Sequence, residues 1–243
     1  MSEPTYAAVV LCAGRGTRLG ELGRDRPKAM LLFRGRPLLH YTLTNLHRAG
    51  VREVGINVCH HAEQIREYVG DGSAWGLKVE LAQESEPSGT AGGFRCFGPL
   101  LARHAGAIVH YGDVLTNADL RALVAFHRAH GRLASLLLHR STSSNSVVDI
   151  DPAGAVSRFL ERPPAAERAQ FGAAWTNSGI YCLQSEVAAL IPTAPVADFP
   201  ADVFPGLVRR GELYGLPLVG KRWAIDTESR YHEANEAMTD DFI

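Results

Sequence analysis

Apolar runs of strand length alternate with segments of helical period from the start of the chain, the pattern of a parallel sheet covered by helices. Ala7 to Cys12 is apolar throughout and predicts a strand buried on both faces. Pro37 to Ala49 sets Leu38, Tyr41, Leu43 and Leu46 near one helical face, and Gly50 supplies the stop. The alternation continues with strands at Val54 to Val58, Leu77 to Ala82, Ala107 to Tyr111 and Arg132 to Leu138. Helices are predicted between them at Ala62 to Tyr68, Thr90 to Leu101 and Leu120 to His130.

After these units the period changes. Ser146 to Asp151 and Ala155 to Leu160, joined by Pro152 to Gly154, read as an antiparallel hairpin. Trp175 to Cys182 follows as a strand, and Phe199 to Arg209 as a helix of weak propensity. Glu212 to Pro217 and Trp223 to Ile225 are extended, and a closing helix runs from about Glu228 to Met238 with Asp226 or Thr227 as N-cap. The four prolines between Ile191 and Pro205 mark a surface loop. An α/β domain spanning residues 1–243 is expected, with no internal repeat.

Composition narrows the function. The 243 residues carry 25 Lys plus Arg against 26 Asp plus Glu, a formal charge of -1, which argues against a general nucleic-acid or membrane-surface binder. Any anion site must therefore be local. Cys12, Cys59, Cys96 and Cys182 lack the paired spacing of a zinc site or disulfide framework and read as buried reduced thiols. The N-terminus begins acidic and offers only a short apolar run, so neither a secretory signal nor a membrane span is expected, and the cytoplasm is the expected compartment.

The strongest chemical signal follows the first strand, in Leu11-Cys12-Ala13-Gly14-Arg15-Gly16-Thr17-Arg18-Leu19, with Pro27-Lys28 downstream. Glycines there let the backbone approach a ligand, and successive N–H groups form a concave anion site. Between Gly14 and Arg36 seven basic residues face only two acidic ones, a local imbalance that asks for a polyanion. Leu19 stands where a dinucleotide fingerprint needs its third glycine, and Thr17-Arg18 breaks the phosphate loop of ATPases. Tyr111-Gly112-Asp113 ends a buried strand, where open parallel sheets place ligands, and a carboxylate there suits magnesium. The ten histidines form no metal or catalytic spacing and read as surface or half-buried residues. Asp149-Ile150-Asp151 imitates the metal motif of a glycosyltransferase, but it runs into Pro152 and reads more simply as a turn.

The whole string resembles the signature of the sugar-1-phosphate nucleotidylyltransferases, and the resemblance continues across nearly the entire chain. It implies a Rossmann-like three-layer sandwich with a mostly parallel mixed sheet and an antiparallel hairpin insertion for the sugar site. The nucleotide-binding part would lie at about 1–115 and the sugar-binding part at about 116–243. Arg18 and Lys28 would neutralise phosphates in the transition state. Leu11, Ala13, Gly14, Gly16, Thr17, Gln83, Gly89, Thr90 and Gly112 would bind the nucleotide, Gln83 and Gly89 reading the base. Ala13 departs from the glycine that many members carry there.

Glu161, Arg162, Asn177 and Gly179 would hold the sugar phosphate, Arg162 replacing the family's lysine, while Asp113 and Asp226 would hold Mg2+. The implied partners are a nucleoside triphosphate and a sugar 1-phosphate, with neither nucleic acid nor membrane. Length and layout are similar to small mannose- or heptose-1-phosphate guanylyltransferases, which points to GTP with a heptose or hexose 1-phosphate. Uridylyl-, thymidylyl- or cytidylyl transfer, an NDP-sugar-using glycosyltransferase and a non-catalytic nucleotide-sugar-binding subunit are the alternatives. The resemblance leaves a homo-oligomer open, the apolar stretch Phe199 to Leu207 being either its interface or a pocket lid.

Overall fold

The computed structural model describes residues 5–142, 144–239 and 242; the first four residues, part of the N-terminal stretch considered above, lie outside the described residues. The chain begins with β1 (Tyr6–Leu11), a short hairpin of β2 (Leu32–Phe33) and β3 (Arg36–Pro37), α1 (Leu38–Arg48), β4 (Glu53–Val58), α2 (Ala62–Val69) and β5 (Lys78–Gln83). Then come α3 (Gly89–Arg95), α4 (Gly98–Leu101), β6 (Gly106–Tyr111), β7 (Val114–Thr116), α5 (Leu120–His130) and β8 (Ala134–Ser141). The remainder is β9 (Ser146–Ile150), β10 (Val156–Glu161), α6 (Ala165–Arg168), β11 (Ala174–Gln184), α7 (Phe204–Arg209), β12 (Leu213–Pro217), β13 (Arg222–Ala224) and α8 (Glu228–Ala237).

The main sheet runs β10-β9-β11-β6-β1-β4-β5, with β8 paired to β11 and β12 paired to β8. β6, β1, β4 and β5 are mutually parallel, and β11 enters antiparallel against β6. The continuous apolar run of β1 has a direct cause. Ala7 and Val9 pack with Phe94, Leu100, Phe199 and Phe204 on one face, whereas Ala8 and Val10 pack with Leu39, Leu43, Ile65 and Leu123 on the other. Helices therefore cover both faces, and each fully buried Leu, Ile or Phe side chain contributes roughly 1.5–3 kcal/mol. The predicted antiparallel insertion is the β9–β10 hairpin.

Several expectations need correction. The helix predicted over Thr90 to Leu101 is two helices, broken at Phe97, because Pro99 has no N–H to bond the carbonyl four residues back and its ring crowds that carbonyl. Phe199 to Val203 forms a π-helical turn leading into α7, so the proline-rich loop ends in helix. Phe199, Val203, Phe204 and Leu207 are buried within this chain and offer no apolar interface. Cys96 is exposed and Cys59 partly so, although Cys12 and Cys182 are buried. His110 and His127 are core residues: His110 Nδ1 lies 2.9 Å from the Tyr111 carbonyl, and His127 Nδ1 lies 2.8 Å from Ser135 Oγ. Among the described residues no helix is long and apolar enough to cross a membrane.

A third apolar cluster lies beside the end of the sheet that carries the site. It joins Leu19, Phe33 and Tyr41 to Leu115, Ile225, Met238 and Phe242. The β2–β3 turn has positive φ at both Arg34 (47°) and Gly35 (77°), the geometry of a tight two-residue hairpin. Arg34 Nε and Nη2 donate to the Met238 carbonyl at 3.2 and 2.6 Å, tying this hairpin to the end of α8.

Candidate active site

Where β1 ends, the Cys12 N–H is shared between the Asn57 backbone carbonyl at 3.2 Å and Asn57 Oδ1 at 2.8 Å. Asn57 Nδ2 donates to Glu84 Oε1 at 2.6 Å, and Glu84 Oε2 accepts from Ser88 N at 2.7 Å and from Ser88 Oγ at 2.6 Å. One polar chain thus fixes the ends of β1, β4 and β5 to the start of α3. Above it lies a cavity of about 250 Å3. Leu11, Ala13, Gly14, Gly89, Thr90 and Gly112 of the nucleotide-binding candidates line it, together with Lys28 and Asp113.

The remaining nucleotide candidates lie elsewhere. Gly16 and Thr17 belong to neither cavity wall. Gly16 has φ +66° and turns the chain into a 3-10 segment, and a Cβ there would sit 3.4 Å from the stem of Lys28, which passes over it. Gln83 does not reach the cavity: it ends the edge strand β5, exposed, and its Oε1 accepts from Arg66 Nη2 at 2.9 Å. Period-two alternation explains the miss, since successive side chains point to opposite sides of a strand and Glu84 takes the inward one.

Lys28 Nζ meets Asp113 Oδ2 at 2.9 Å, both side chains being largely sheltered. The carboxylate is placed by the β7–β13 ribbon, in which Val114 pairs with Ala224 and the Ile225 N–H donates to the Asp113 carbonyl at 2.7 Å. The same register puts Asp226 at this end of the ribbon. Thr227, not Asp226, caps α8 through its hydroxyl, which accepts from Arg230 N at 3.3 Å. Asp226 is left to face the site, where Arg18 Nη1 at 3.2 Å and Arg230 Nη1 at 2.8 Å flank it. Arg18, Asp113 and Asp226 all line a second, larger cavity of about 1160 Å3.

Glu161, Arg162, Asn177 and Gly179 line that larger cavity too. β11 slips register against β8 between Asn177 and Tyr181, and the slack forms a bulge. Asn177 Oδ1 accepts from Gly179 N at 2.8 Å, while its amide donates to the Tyr181 hydroxyl at 2.8 Å, which donates to the Tyr111 hydroxyl at 2.9 Å. Gly179 has φ +77°, and a Cβ there would lie 3.0 Å from the Tyr111 ring. Burial first, and then the Asp198 charge, hold the Glu161 carboxyl above its ordinary range, partly offset by Arg162. Arg162 sits at φ +49°, and its side chain is 79% exposed.

Sequence reasoning missed several members. Asp198 lies on the wall of both cavities and accepts from Thr90 N and Thr90 Oγ1, each at 2.9 Å. His139 and Arg222 line the larger cavity: burial, with Arg222 and Arg230 beside it, brings the His139 pKa down to about 4, and burial brings that of Arg222 down to about 10. No local signal marked Arg222, which β13 carries to the cavity opposite Thr116. The glycosyltransferase alternative loses its motif. Asp151 Oδ1 accepts from Ala153 N at 2.9 Å and Ala155 N at 2.8 Å, an Asx turn, and Asp149 pairs with Arg158.

Thr90, Tyr111, Asp113 and Asp198 belong to the walls of both cavities. The arrangement is a smaller chamber with Gly14, Gly89 and Gly112 in its wall joined to a larger polar one, with Asp113 on both walls and Lys28 of the smaller one paired to it. It can hold two anionic ligands end to end.

Mannose-1-phosphate guanylyltransferase of Mycobacterium tuberculosis is 34% identical over 222 residues, covering 88% of this chain and 59% of that protein. UTP–glucose-1-phosphate uridylyltransferase of Synechocystis is 30% identical over 220 residues, covering 84% of this chain and 55% of that protein. The chain thus spans little more than half the length of these curated relatives. A crystal structure described as a putative glucose-1-phosphate thymidylyltransferase from Bacillus anthracis superposes with a TM-score of 0.87 at 19% identity, covering 97% of this chain and 96% of the other. That likeness establishes the shared fold. The family described as nucleotidyl transferase matches residues 7–241, and with that match across nearly the whole length the chain belongs to the nucleotidyl transferase family.

Proposed function

We propose that the protein joins a nucleoside triphosphate to a sugar 1-phosphate, releasing pyrophosphate and forming an NDP-sugar, with GTP and a hexose or heptose 1-phosphate as the preferred pair. The observation that carries this reading is Asp113, which lies on the walls of both cavities and meets Lys28 of the smaller one at 2.9 Å. The nucleotide belongs in the smaller chamber, built mainly from residues before 115, and the sugar phosphate in the larger one.

The chemistry asks little of acid–base groups. A phosphate monoester is largely a dianion near neutrality, its second pKa being about 6, so its oxygen attacks the α-phosphorus without a base. The P–O bond to the β-phosphate breaks as the new P–O bond forms, and the electron pair leaves with pyrophosphate. What opposes the reaction is charge, and the protein answers with alignment and cations. Lys28, seated at the junction, neutralises the phosphate under attack, and Arg18 neutralises the departing charge.

Sugar-phosphate nucleotidyltransferases generally use a divalent metal, and the donor set here fits one. Asp113 and Asp226 present hard oxygen ligands from the same end of one β-ribbon into one cavity, with Lys28, Arg18 and Arg230 balancing them. Bound by them, magnesium would supply additional positive charge to the reacting phosphates.

A screen of GTP, UTP, dTTP, CTP and ATP against a panel of sugar 1-phosphates, read by pyrophosphate release, tests the proposal. Release that requires one triphosphate and one sugar 1-phosphate together is expected. Release from a triphosphate alone, or none with any pair, overturns it.

A further inference from the structure

Arg222 is an anomaly in the larger cavity. Its Nε donates to the Ser178 carbonyl at 3.1 Å, and no hydrogen-bond partner for its terminal nitrogens is found among the described residues. No carboxylate among those residues lies within ion-pairing distance; Asp113 and Asp226 act on it only from farther away. Arg222 is half-buried on the wall of the larger cavity, and desolvation there makes its protonation harder. A desolvated guanidinium that faces this cavity without a protein counter-ion is positioned to pair with an anionic ligand.

The surroundings hold it in place. Ser178, fully buried in the β11 bulge, turns its carbonyl to Arg222 and places its hydroxyl 3.0 Å from His139 Nδ1. β13 fixes the backbone of Arg222 opposite Thr116. Arg162, by contrast, is turned outward and lies 3.6 Å from Glu161.

We propose that Arg222, rather than Arg162, is the principal grip on the phosphoryl group of the second substrate, its two terminal nitrogens binding a phosphate monoester dianion bidentately beside the junction of the cavities. The assignment rests on the nucleotidyl-transfer reading and adds a residue that the sequence motifs do not mark. It also accounts for the family's lysine having become Arg162 here: with Arg222 holding the phosphate, the side chain at 162 is released to the rim.

Two measurements on full-length R222Q, R222K and R162Q test it. With the sugar 1-phosphate that wild-type protein accepts, R222Q should raise its KM about 30-fold while leaving the KM for the triphosphate within about twofold. R222K should fall between R222Q and wild type, and R162Q should change either KM less than about fivefold. Calorimetric titration with inorganic phosphate needs no turnover, and R222Q should bind it about tenfold more weakly than wild type and R162Q. Equal rises in both KM values, an unchanged R222Q, or a larger loss in R162Q would overturn the assignment. If wild type turns over no sugar 1-phosphate but R222Q still loses phosphate, the reaction is misread while Arg222 stands as an anion site.

Discussion

The two chambers are built on different principles. The smaller one sits at the ends of parallel strands, and three of its lining residues, Gly14, Gly89 and Gly112, contribute no side chain and leave backbone open to a ligand. The larger one sits on the antiparallel part of the sheet and is lined by side chains such as His139, Glu161, Asn177 and Arg222. A backbone wall suits a ligand part that differs little among substrates, because N–H groups at strand ends bind phosphate whatever is attached. A side-chain wall suits the partner that must be told apart. Changes at the junction should therefore abolish the reaction, changes in the larger chamber should alter its choice of substrate, and changes outside both should be silent.

The largest effect belongs to the junction. Lys28→Ala and Asp113→Ala should each lower kcat by about a thousandfold, roughly 4 kcal/mol of transition-state stabilisation, with unchanged far-UV circular dichroism. Retention of wild-type turnover by either variant would break the contrast.

Next in size is a stability effect that involves neither chamber's substrate. His110 and His127 are buried and neutral, their pKa values brought down to about 4 by burial. The unfolded chain binds more protons than the folded one between about 4 and 6.5, so stability is full above 6.5 and is lost as pH falls toward 4. Each histidine contributes on the order of 3 kcal/mol to that slope. Urea unfolding across the window should show it, and a His127→Gln variant should have a flatter profile than wild type.

Smaller again is Gly89→Ala. Its φ of +81° and the Ala197 carbonyl beside it leave no place for a methyl group, so the variant should lose about 2 kcal/mol in urea unfolding. The smallest effect is Gln83→Ala, which should leave the KM for every triphosphate within about twofold, since its amide accepts from Arg66 at the outer edge of the sheet. A tenfold rise there would return Gln83 to the base site and change the account of the smaller chamber.

The smaller chamber was the more legible in the sequence, because its parts are local. The apolar run of β1, the glycines after it and Pro27-Lys28 lie close together along the chain, and the strand–turn pattern places them without knowledge of the rest. Gln83 shows the limit even there, since one residue of register decides which side of an edge strand a side chain takes. In the larger chamber Asp198 meets Thr90 across a separation of 108 residues, and Arg222 meets Ser178 across 44. No periodicity encodes such meetings; they follow from the bulge in β11 and the pairing of β7 with β13. The hairpin at Arg34-Gly35 escaped for a simpler reason, its strands being two residues each and too short to show alternation.

The central claim is that a phosphoryl group changes partners where the two chambers meet. Incubation with magnesium and a triphosphate labelled at the α-phosphorus, with and without the accepted sugar 1-phosphate, tests it most directly. The account predicts that the label appears in an NDP-sugar only when the sugar 1-phosphate is present, with one pyrophosphate released for each. Label recovered as nucleoside monophosphate regardless of the sugar 1-phosphate would contradict it.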